Sequence, residues 1–443
     1  MVISQLYHEL STNPKYGLTD ALIYNDSVYT RTNGDRINDC YSLWFKEDIS
    51  KQVRQDFPYF SMKDVGREIN EIISRLAEHP LSTADCSGLH KLYHEHAYFK
   101  QGWWHWREAR FVYPSEKTIK LIQPIESLDI SPGEMGLIEF WADYRAEETM
   151  RTWFPGDDDS ENVQTILQFL GYCLMEHRDF EKMLVFYGLH GVGKSACLKM
   201  IQYFLGHSTV LETQFTNLDD KRFQIAEFVG RTLVCDPDVT TDGKNFSATI
   251  LKKLVSYDTV SIEKKNVQKQ ETPNLTCKFL ACTNHLMQFK DPEPMLKRIL
   301  PIKFSNNFRD SEEVKRTSDM SNMFKSVKFR SSLGLAALKA GSALINNGKF
   351  SQSVSSIKLS NHWLATADPL AYFLQRMTSH GGSTSIRKVQ KAFHEFCESE
   401  GIQYHKGICS AANLNKKSKL IFNTYAPIVI RSNGSHTCLL TLR

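Results

Sequence analysis

The stretch Met183-Leu184-Val185-Phe186-Tyr187-Gly188-Leu189-His190-Gly191-Val192-Gly193-Lys194-Ser195 decides the fold class of this 443-residue chain. Its first five residues are apolar and predict a buried strand, and the next eight match the pattern G-x-x-x-x-G-K-S. Residues 196–204 can continue as a helix. Glycines let such a loop curl, so that backbone N–H groups and the helix N-terminus face phosphate groups. The stretch therefore predicts a P-loop inside an α/β layer.

Two side chains of the loop have specific expected roles. Lys194 is placed to reach the β- and γ-phosphates of a nucleotide, and the Ser195 hydroxyl is placed to coordinate Mg²⁺. A glycine-rich turn that binds nothing is the plain alternative, but a turn alone does not call for a Lys-Ser pair at this place. We therefore expect ATP and Mg²⁺ at residues 188–195.

The rest of the chain alternates strand-like and helical segments around this loop. Strands are expected near residues 183–187, 209–211, 232–235, 278–282 and 299–304. Such an alternation predicts a mainly parallel sheet covered by helices. A turn-rich, acidic segment near residue 155 and a helix expected to end at Gly348 suggest three parts. These are an amino-terminal α/β region (1–155), the P-loop domain (156–350) and a carboxyl-terminal unit (351–443).

Composition fits a folded protein in a reducing compartment. The chain is 41% hydrophobic and 23% charged, and its ten cysteines form no C-x-x-C pair. The first twenty residues lack an export signal, and no apolar run is long enough for a membrane span. We expect a cytoplasmic protein with no membrane partner.

An acidic strand end follows the P-loop in sequence. Leu233-Val234-Cys235-Asp236-Pro237-Asp238 is an apolar run that ends in two acids, and a P-loop enzyme needs such an acid to hold Mg²⁺ and orient the attacking water. Its position directly at the end of the strand favours Asp236 as the acid that holds the metal. Asp and Pro are also common in a simple turn with no such role. A second polar strand end comes at Thr283-Asn284, where the Asn284 amide could hydrogen-bond the γ-phosphate or the attacking water.

Together, the P-loop, the acidic strand and the Thr-Asn strand have the order and spacing of one family. The chain resembles the superfamily III helicases, in particular the helicase part of phage, satellite-phage, plasmid and poxvirus primase-helicases. The resemblance covers about residues 163–304. It implies an AAA+-like P-loop ATPase core and a homo-oligomeric ring, a hexamer, that binds ATP between subunits. It also implies that residues 1–155 are an accessory or oligomerisation region. Residues 237–240, Pro-Asp-Val-Thr, look like the satellite-phage form of the acidic motif, which shifts the metal-side role toward Asp238 and leaves the two acids unresolved.

The same resemblance assigns further residues. Lys264 and Lys265 fall where the family places basic residues of a pore hairpin on single-stranded DNA, although a solvated surface hairpin has the same composition. Arg298 falls at the arginine-finger position, which would serve the nucleotide of a neighbouring subunit. The alternative for Arg298 is a surface arginine beside a strand, with no role in catalysis.

The carboxyl-terminal unit carries most of the positive charge. Residues 370–443 contain ten Lys or Arg against three acids, whereas the whole chain has a net charge of +4. The unit looks like a winged-helix domain, with basic residues on a helical stretch and on the loop expected after it: Arg387, Lys388, Lys391, Lys416 and Lys417. A basic face of this kind suits origin duplex DNA, and a protein-protein role stays open.

Two readings follow for the whole chain. The first is a ring-forming, ATP-dependent DNA helicase that translocates on single-stranded DNA and opens forked DNA during replication of a phage, satellite or plasmid element, with a separate primase as a further partner. The second is an origin-binding initiator whose nucleotide acts as an assembly switch. A small-molecule kinase is disfavoured, because the Thr-Asn strand followed by Arg298 fits a ring motor better.

Overall fold

The computed structural model describes residues 6, 8–10, 22–24, 27–31, 40–44, 46–77, 95–99, 102–112, 120–122, 145–154, 159–219, 222–240, 247–256, 258, 260, 275–289, 292–306, 308, 317–405, 407–422, 428–430 and 436–442. Within them, no helix combines the length and the apolar character that a membrane crossing requires.

The described residues of the amino-terminal part include two small sheets and several helices. Its elements are β1 (Leu22–Tyr24), β2 (Ser27–Arg31), β3 (Cys40–Trp44), α1 (Lys46–Asp56), α2 (Met62–Ala77), β4 (His96–Phe99), β5 (Gly102–His105), β6 (Arg110–Val112), β7 (Lys120–Ile122) and α3 (Arg145–Arg151). One sheet has the order β1-β2-β3-β7 and the other the order β4-β5-β6. Helices α1 and α2 pack through a separate small apolar core around Val53, Val65 and Ile69.

The central part is built on a five-stranded sheet. Its elements are α4 (Asp159–Cys173), β8 (Met183–Tyr187), α5 (Lys194–Leu205), β9 (Val210–Glu212), β10 (Leu233–Asp236), α6 (Thr249–Val255), β11 (Lys278–Thr283), α7 (Pro292–Leu296), β12 (Ile299–Lys303), α8 (Thr317–Lys325) and α9 (Val327–Asn347). The strand order is β12-β8-β11-β10-β9, and every pair is parallel. This confirms the predicted mixed α/β core with a parallel sheet.

Both faces of this sheet are covered, which explains why its strands are almost entirely apolar. Successive side chains of a strand point to opposite faces. Leu184 and Phe186 accordingly belong to the cluster that contains α5, whereas Met183 and Val185 belong to the cluster that contains α6.

The amino-terminal tryptophans pack into this central core. The Trp104 indole donates to the Ser342 hydroxyl of α9 at 3.0 Å, and Trp106 lies against Gly341 of the same helix. Both indoles share one apolar cluster with Phe186 and Phe304. Residues on both sides of position 155 thus form one core, while the division of the chain into three domains stays a prediction.

The carboxyl-terminal unit has the element order helix, strand, helix, helix, strand, strand. After α10 (Val354–Ala367) come α11 (Pro369–Met377), β13 (Thr378–Ser385), α12 (Ile386–Ser399), α13 (Ala411–Phe422), β14 (Ile428–Ile430) and β15 (His436–Leu442). The antiparallel sheet has the order β13-β15-β14. Its helices pack around Phe373, Phe393 and Leu414.

One sequence-based expectation for this unit is wrong. The loop expected around Lys416 and Lys417 lies in α13, a helix that begins after Ser410, whose hydroxyl accepts the Asn413 N–H at 3.3 Å. Strand β13 was missed because Thr-Ser-His-Gly-Gly-Ser-Thr-Ser lacks apolar alternation. Pairing with β15 makes it a strand.

Candidate nucleotide-binding site

The P-loop connects the carboxyl end of β8 to the amino end of α5. Gly191 and Gly193 have φ angles of 85° and 98°, in the left-handed region that favours glycine. Gly193 is the N-cap residue of α5, and no side chain caps this helix end. The first N–H groups of α5 therefore have no side-chain acceptor, which fits an anion such as a phosphate.

Lys194 is folded back over its own loop. Lys194 is only 8% exposed. Its ammonium donates to the carbonyls of Gly188 and Leu189 and to Asn284 Oδ1. The Leu189 and Asn284 contacts measure 2.7 and 2.8 Å. Burial lowers the pKa of the Lys194 ammonium from its ordinary value, while Cys282 and Asp238 nearby oppose this shift. These acceptors are ones that phosphate oxygens can replace.

Asn284 brings the strand ends together. It follows β11, which lies between the P-loop strand β8 and the acidic strand β10. Its amide nitrogen lies 3.4 Å from Asp238 Oδ1 and 3.3 Å from His190 Nε2. The structure thus brings Lys194, Asn284 and Asp238 into one cluster, although the acidic strand is not directly beside the P-loop strand.

The two acids of the Asp-Pro-Asp turn have different environments. Asp236 is 3% exposed and accepts the backbone N–H of Phe215 at 2.8 Å and that of Asp238 at 3.2 Å. Burial raises the pKa of the Asp236 carboxyl, and the two hydrogen bonds oppose this shift. Asp238 is exposed and contacts the Asn284 amide. Asp236 shapes the turn, and Asp238 faces the P-loop residues.

The oxygen groups at this edge of the sheet fit Mg²⁺. Ser195 is exposed in the first turn of α5, and Asp238 offers an exposed carboxylate. Mg²⁺ usually keeps several waters and takes only one or two protein ligands beside substrate phosphates. Among the residues that the structure describes, no group of three or more His, Cys, Asp or Glu side chains could hold a metal ion. The roles of Ser195, Asp236 and Asp238 as metal ligands stay predictions.

An aromatic clamp against the P-loop was missed from the sequence. A Cβ atom added to Gly193 would lie 2.8 Å from Trp153 Cδ1 and 3.3 Å from Phe308 Cε2. The Phe308 N–H donates to the Gly191 carbonyl at 3.4 Å. The aromatic pair Trp153-Phe154 before the expected boundary was the available signal, but nothing in it points to the P-loop.

Arg298 does not join this cluster. It precedes β12, and its carbonyl accepts the Met183 N–H at the amino end of β8, whereas the P-loop follows the carboxyl end. Its guanidinium donates to the Ser256 hydroxyl, to the Pro294 carbonyl at 2.8 Å and to Glu181 at 3.4 Å. Within one chain, Arg298 holds the end of α6.

The structure places the residues that were predicted to contact DNA in different surroundings, and it describes only some of them. Lys264 and Lys265 lie outside the described residues. Exposed side chains are found at four positions, on α12 and α13: Arg387, Lys388, Lys391 and Lys416. Lys417 differs, because its ammonium pairs with the buried Asp368 carboxylate, which also caps α11. The loop expected at Lys417 is wrong, because this residue lies in α13, and the pair ties α13 to the start of α11. The DNA-binding role of Lys417 stays a prediction.

Comparisons with known proteins are limited. The model of a family of unknown function, DUF5906, matches residues 186–298, less than half of the chain. No curated protein matches significantly. One solved structure of the NrS-1 C-terminal region has a TM-score of 0.43 and 12% identity, with 94% of each chain covered. A shorter piece of that region has a TM-score of 0.37 and 13% identity, covering 74% of this chain and 82% of its own. Scores this low establish neither a shared fold nor a shared function.

Proposed function

We propose that this chain is a ring-forming, ATP-dependent DNA helicase that translocates on single-stranded DNA during replication of a phage, satellite or plasmid element. One observation carries the proposal. The P-loop lysine at the start of α5 meets an amide that follows β11 and an exposed carboxylate that follows β10, at the carboxyl ends of the parallel strands. Such a set suits phosphoryl transfer to water, in which positioning and charge stabilisation supply most of the rate.

Each residue of the cluster has a distinct task in this proposal. Lys194 neutralises charge on the phosphates, and Asp238 orients the attacking water or the metal's water shell. Asn284 hydrogen-bonds the γ-phosphate or that water. Mg²⁺, held by Ser195 and Asp238, supplies further charge neutralisation when it is bound with ATP.

The position of Arg298 is compatible with a catalytic role only in a ring. A strand rises about 3.3 Å per residue, so the amino and carboxyl ends of the five-residue strand β8 lie about 16 Å apart. Arg298 lies at the amino end, and the P-loop follows the carboxyl end. Arg298 therefore cannot serve the P-loop of its own subunit. A role in catalysis requires the nucleotide of a neighbouring subunit, as an arginine finger supplied in trans.

DNA-stimulated turnover is the decisive measurement. We expect ATP hydrolysis to increase with single-stranded DNA, a forked duplex to be unwound, and Lys194→Ala to lose both activities. Lys199→Ala is the matched control, because Lys199 is an exposed lysine on the same helix. Tight binding of origin duplex without turnover would contradict the helicase.

The order of elements in the carboxyl-terminal unit supports a winged-helix domain that binds duplex DNA. In helix-turn-helix proteins the second helix of the pair enters the major groove, and here that helix is α13. We expect Lys416→Ala to weaken duplex binding and to reduce the salt slope by about one, because one phosphate contact is lost. Lys417→Ala should instead lower stability, since it leaves Asp368 buried without its partner. Equal salt slopes for Lys416→Ala and the wild type would contradict the proposed DNA-binding face.

A nucleotide-switched origin-binding initiator is the second candidate. It is favoured by the acidic strand, where Pro237 follows Asp236 and the buried Asp236 serves the turn. Asp238 alone would then have to hold Mg²⁺ and orient the attacking water, so ATP hydrolysis would be slow. In that case, ATP binding would change assembly and origin binding while hydrolysis stays slow with any DNA.

A further inference from the structure

The orientation of the Asn284 amide follows from its contact with Lys194. An ammonium group has donors and no acceptor, so the atom 2.8 Å from Lys194 Nζ must be the amide oxygen. The amide nitrogen then faces His190 Nε2 and Asp238 Oδ1. The Asn284 side chain is thereby held between three groups.

The same argument determines the state of the His190 ring. An amide nitrogen donates hydrogen bonds and does not accept them, so Nε2 of His190 has to accept the Asn284 contact. Only a neutral imidazole with its proton on Nδ1 can do this. His190 itself is exposed.

From this geometry we propose that His190 is a positioning residue, whose neutral ring holds Asn284 in the orientation needed for ATP hydrolysis, so that acid slows the chemical step without weakening ATP binding. The inference rests on the proposed ATPase function and adds a regulation of the same site. His190 acts through Asn284 and has no covalent role.

Protonation of the His190 ring would disturb the orientation of the Asn284 amide but favour the binding of ATP. An imidazolium donates from both nitrogens and cannot accept the Asn284 N–H, so the amide loses one of its two acceptors. It also adds a positive charge beside the phosphate-binding loop, which favours an anionic substrate. Among the described residues, the charged groups on the same amide are Lys194 and Asp238, and His285 is the exposed titratable group next along the chain.

The tautomer can be tested without any ATPase assay. Long-range proton–nitrogen NMR of the imidazole rings in the free protein should show an Nδ1–H tautomer for one ring, and His190→Gln should remove that signal. Asn284→Ala should change the same signal, because the acceptor contact is lost. An Nε2–H tautomer at His190 would overturn the proposal, even if the chain hydrolyses no ATP.

The kinetic test measures kcat and KM for ATP between about pH 5.5 and pH 8, where histidine changes charge. We expect wild-type kcat to fall on acidification by about five- to tenfold, the effect of one hydrogen bond, with KM constant or lower. His190→Gln keeps an acceptor at every pH and should lose the acidic fall in kcat. His190→Ala should have a kcat about five- to tenfold lower than the wild type at pH 8.

His285→Gln is the matched control and should keep the wild-type pH profile. An acidic fall that persists in His190→Gln, or one that lies in KM, would assign the effect to another group and overturn the proposal. A wild-type chain without ATP hydrolysis would contradict the proposed function, and the tautomer measurement would still decide the role of His190.

Discussion

At the scale of single residues, the two acids of the Asp-Pro-Asp turn should separate stability from turnover. Asp236→Asn places an amide against two backbone donors, and we expect a loss of about 1–3 kcal/mol in the free energy of unfolding. Asp238→Asn lies on the surface and should change stability by less than about 0.5 kcal/mol, while Mg²⁺-dependent turnover is lost. Denaturant unfolding and turnover at varied Mg²⁺ measure the two effects. Equal loss of stability in both variants would refute the assignment.

A second residue-scale prediction concerns Lys278, which begins β11 and is 2% exposed. Its ammonium donates to the carbonyls of Met175 and Thr276 and lies 4.9 Å from the centre of the Tyr172 ring. Burial lowers the pKa of Lys278 to about 8. The folded chain thus releases this proton more readily than the unfolded chain does, so burying the charge costs free energy below pH 8.

The contribution of Lys278 to the free energy of unfolding should therefore rise between about pH 8 and the ordinary lysine pKa of 10.5, by at most about 1.4 kcal/mol per pH unit. Lys278→Met should remove this contribution. Burial raises the pKa of thiols such as Cys173, and this lowers the free energy of unfolding as the pH rises. The quantity to compare is therefore the difference in slope between the variant and the wild type. Identical slopes would show that folding does not lower the pKa of Lys278.

At the scale of elements, the contact between α4 and α9 depends on two glycines. A Cβ atom at Gly171 would lie 2.5 Å from the Ala337 carbonyl oxygen and 2.7 Å from Gly341 Cα. Gly171→Ala should therefore cost about 1–3 kcal/mol or more by overpacking. Gly66→Ala in α2 is the control, because a Cβ there meets nothing within 4 Å and should add about 0.5–1 kcal/mol of stability. Denaturant midpoints of both variants test the pair.

The elements also show what local sequence can reveal. Strands β8 and β11 were predicted because uninterrupted apolar runs end at glycine or polar residues, and this signal is local. Strand β13 is polar and depends on hydrogen bonds to β15, some sixty residues later in the chain, so no local pattern indicates it. The lysines of α13 suggested a loop by their charge, whereas the apolar Leu414 on the buried side of that helix was the better guide.

At the scale of the whole molecule, a shared nucleotide site predicts complementation between inactive subunits. Arg298→Ala should abolish hydrolysis by spoiling the site of the neighbouring subunit, and Lys194→Ala should abolish it by spoiling its own. Mixing the two variants should restore part of the activity, because some interfaces then contain an intact half from each subunit. ATPase assays across mixing ratios measure this effect. Full hydrolysis by Arg298→Ala alone would rule out a role in trans.

The candidate site itself was only partly readable from the sequence. The P-loop pattern identified Lys194, and the polar strand ends identified Asn284 and the two acids, because each follows an apolar run. The division of work between Asp236 and Asp238 depends on the Phe215 N–H, which arrives from a separate segment. The contact of His190 with Asn284 likewise joins residues 94 positions apart, a separation that no spacing rule covers.

The tryptophan that packs against the P-loop provides a natural optical probe. Trp153 is 2% exposed and lies against Gly193, the residue before the phosphate-binding lysine. Indole emission depends on the surroundings of the ring, so any shift of the loop on nucleotide binding should change the colour or intensity of its fluorescence. Trp153→Phe would identify this signal among the seven tryptophans. The unlabelled protein can therefore report occupancy of its own site in real time.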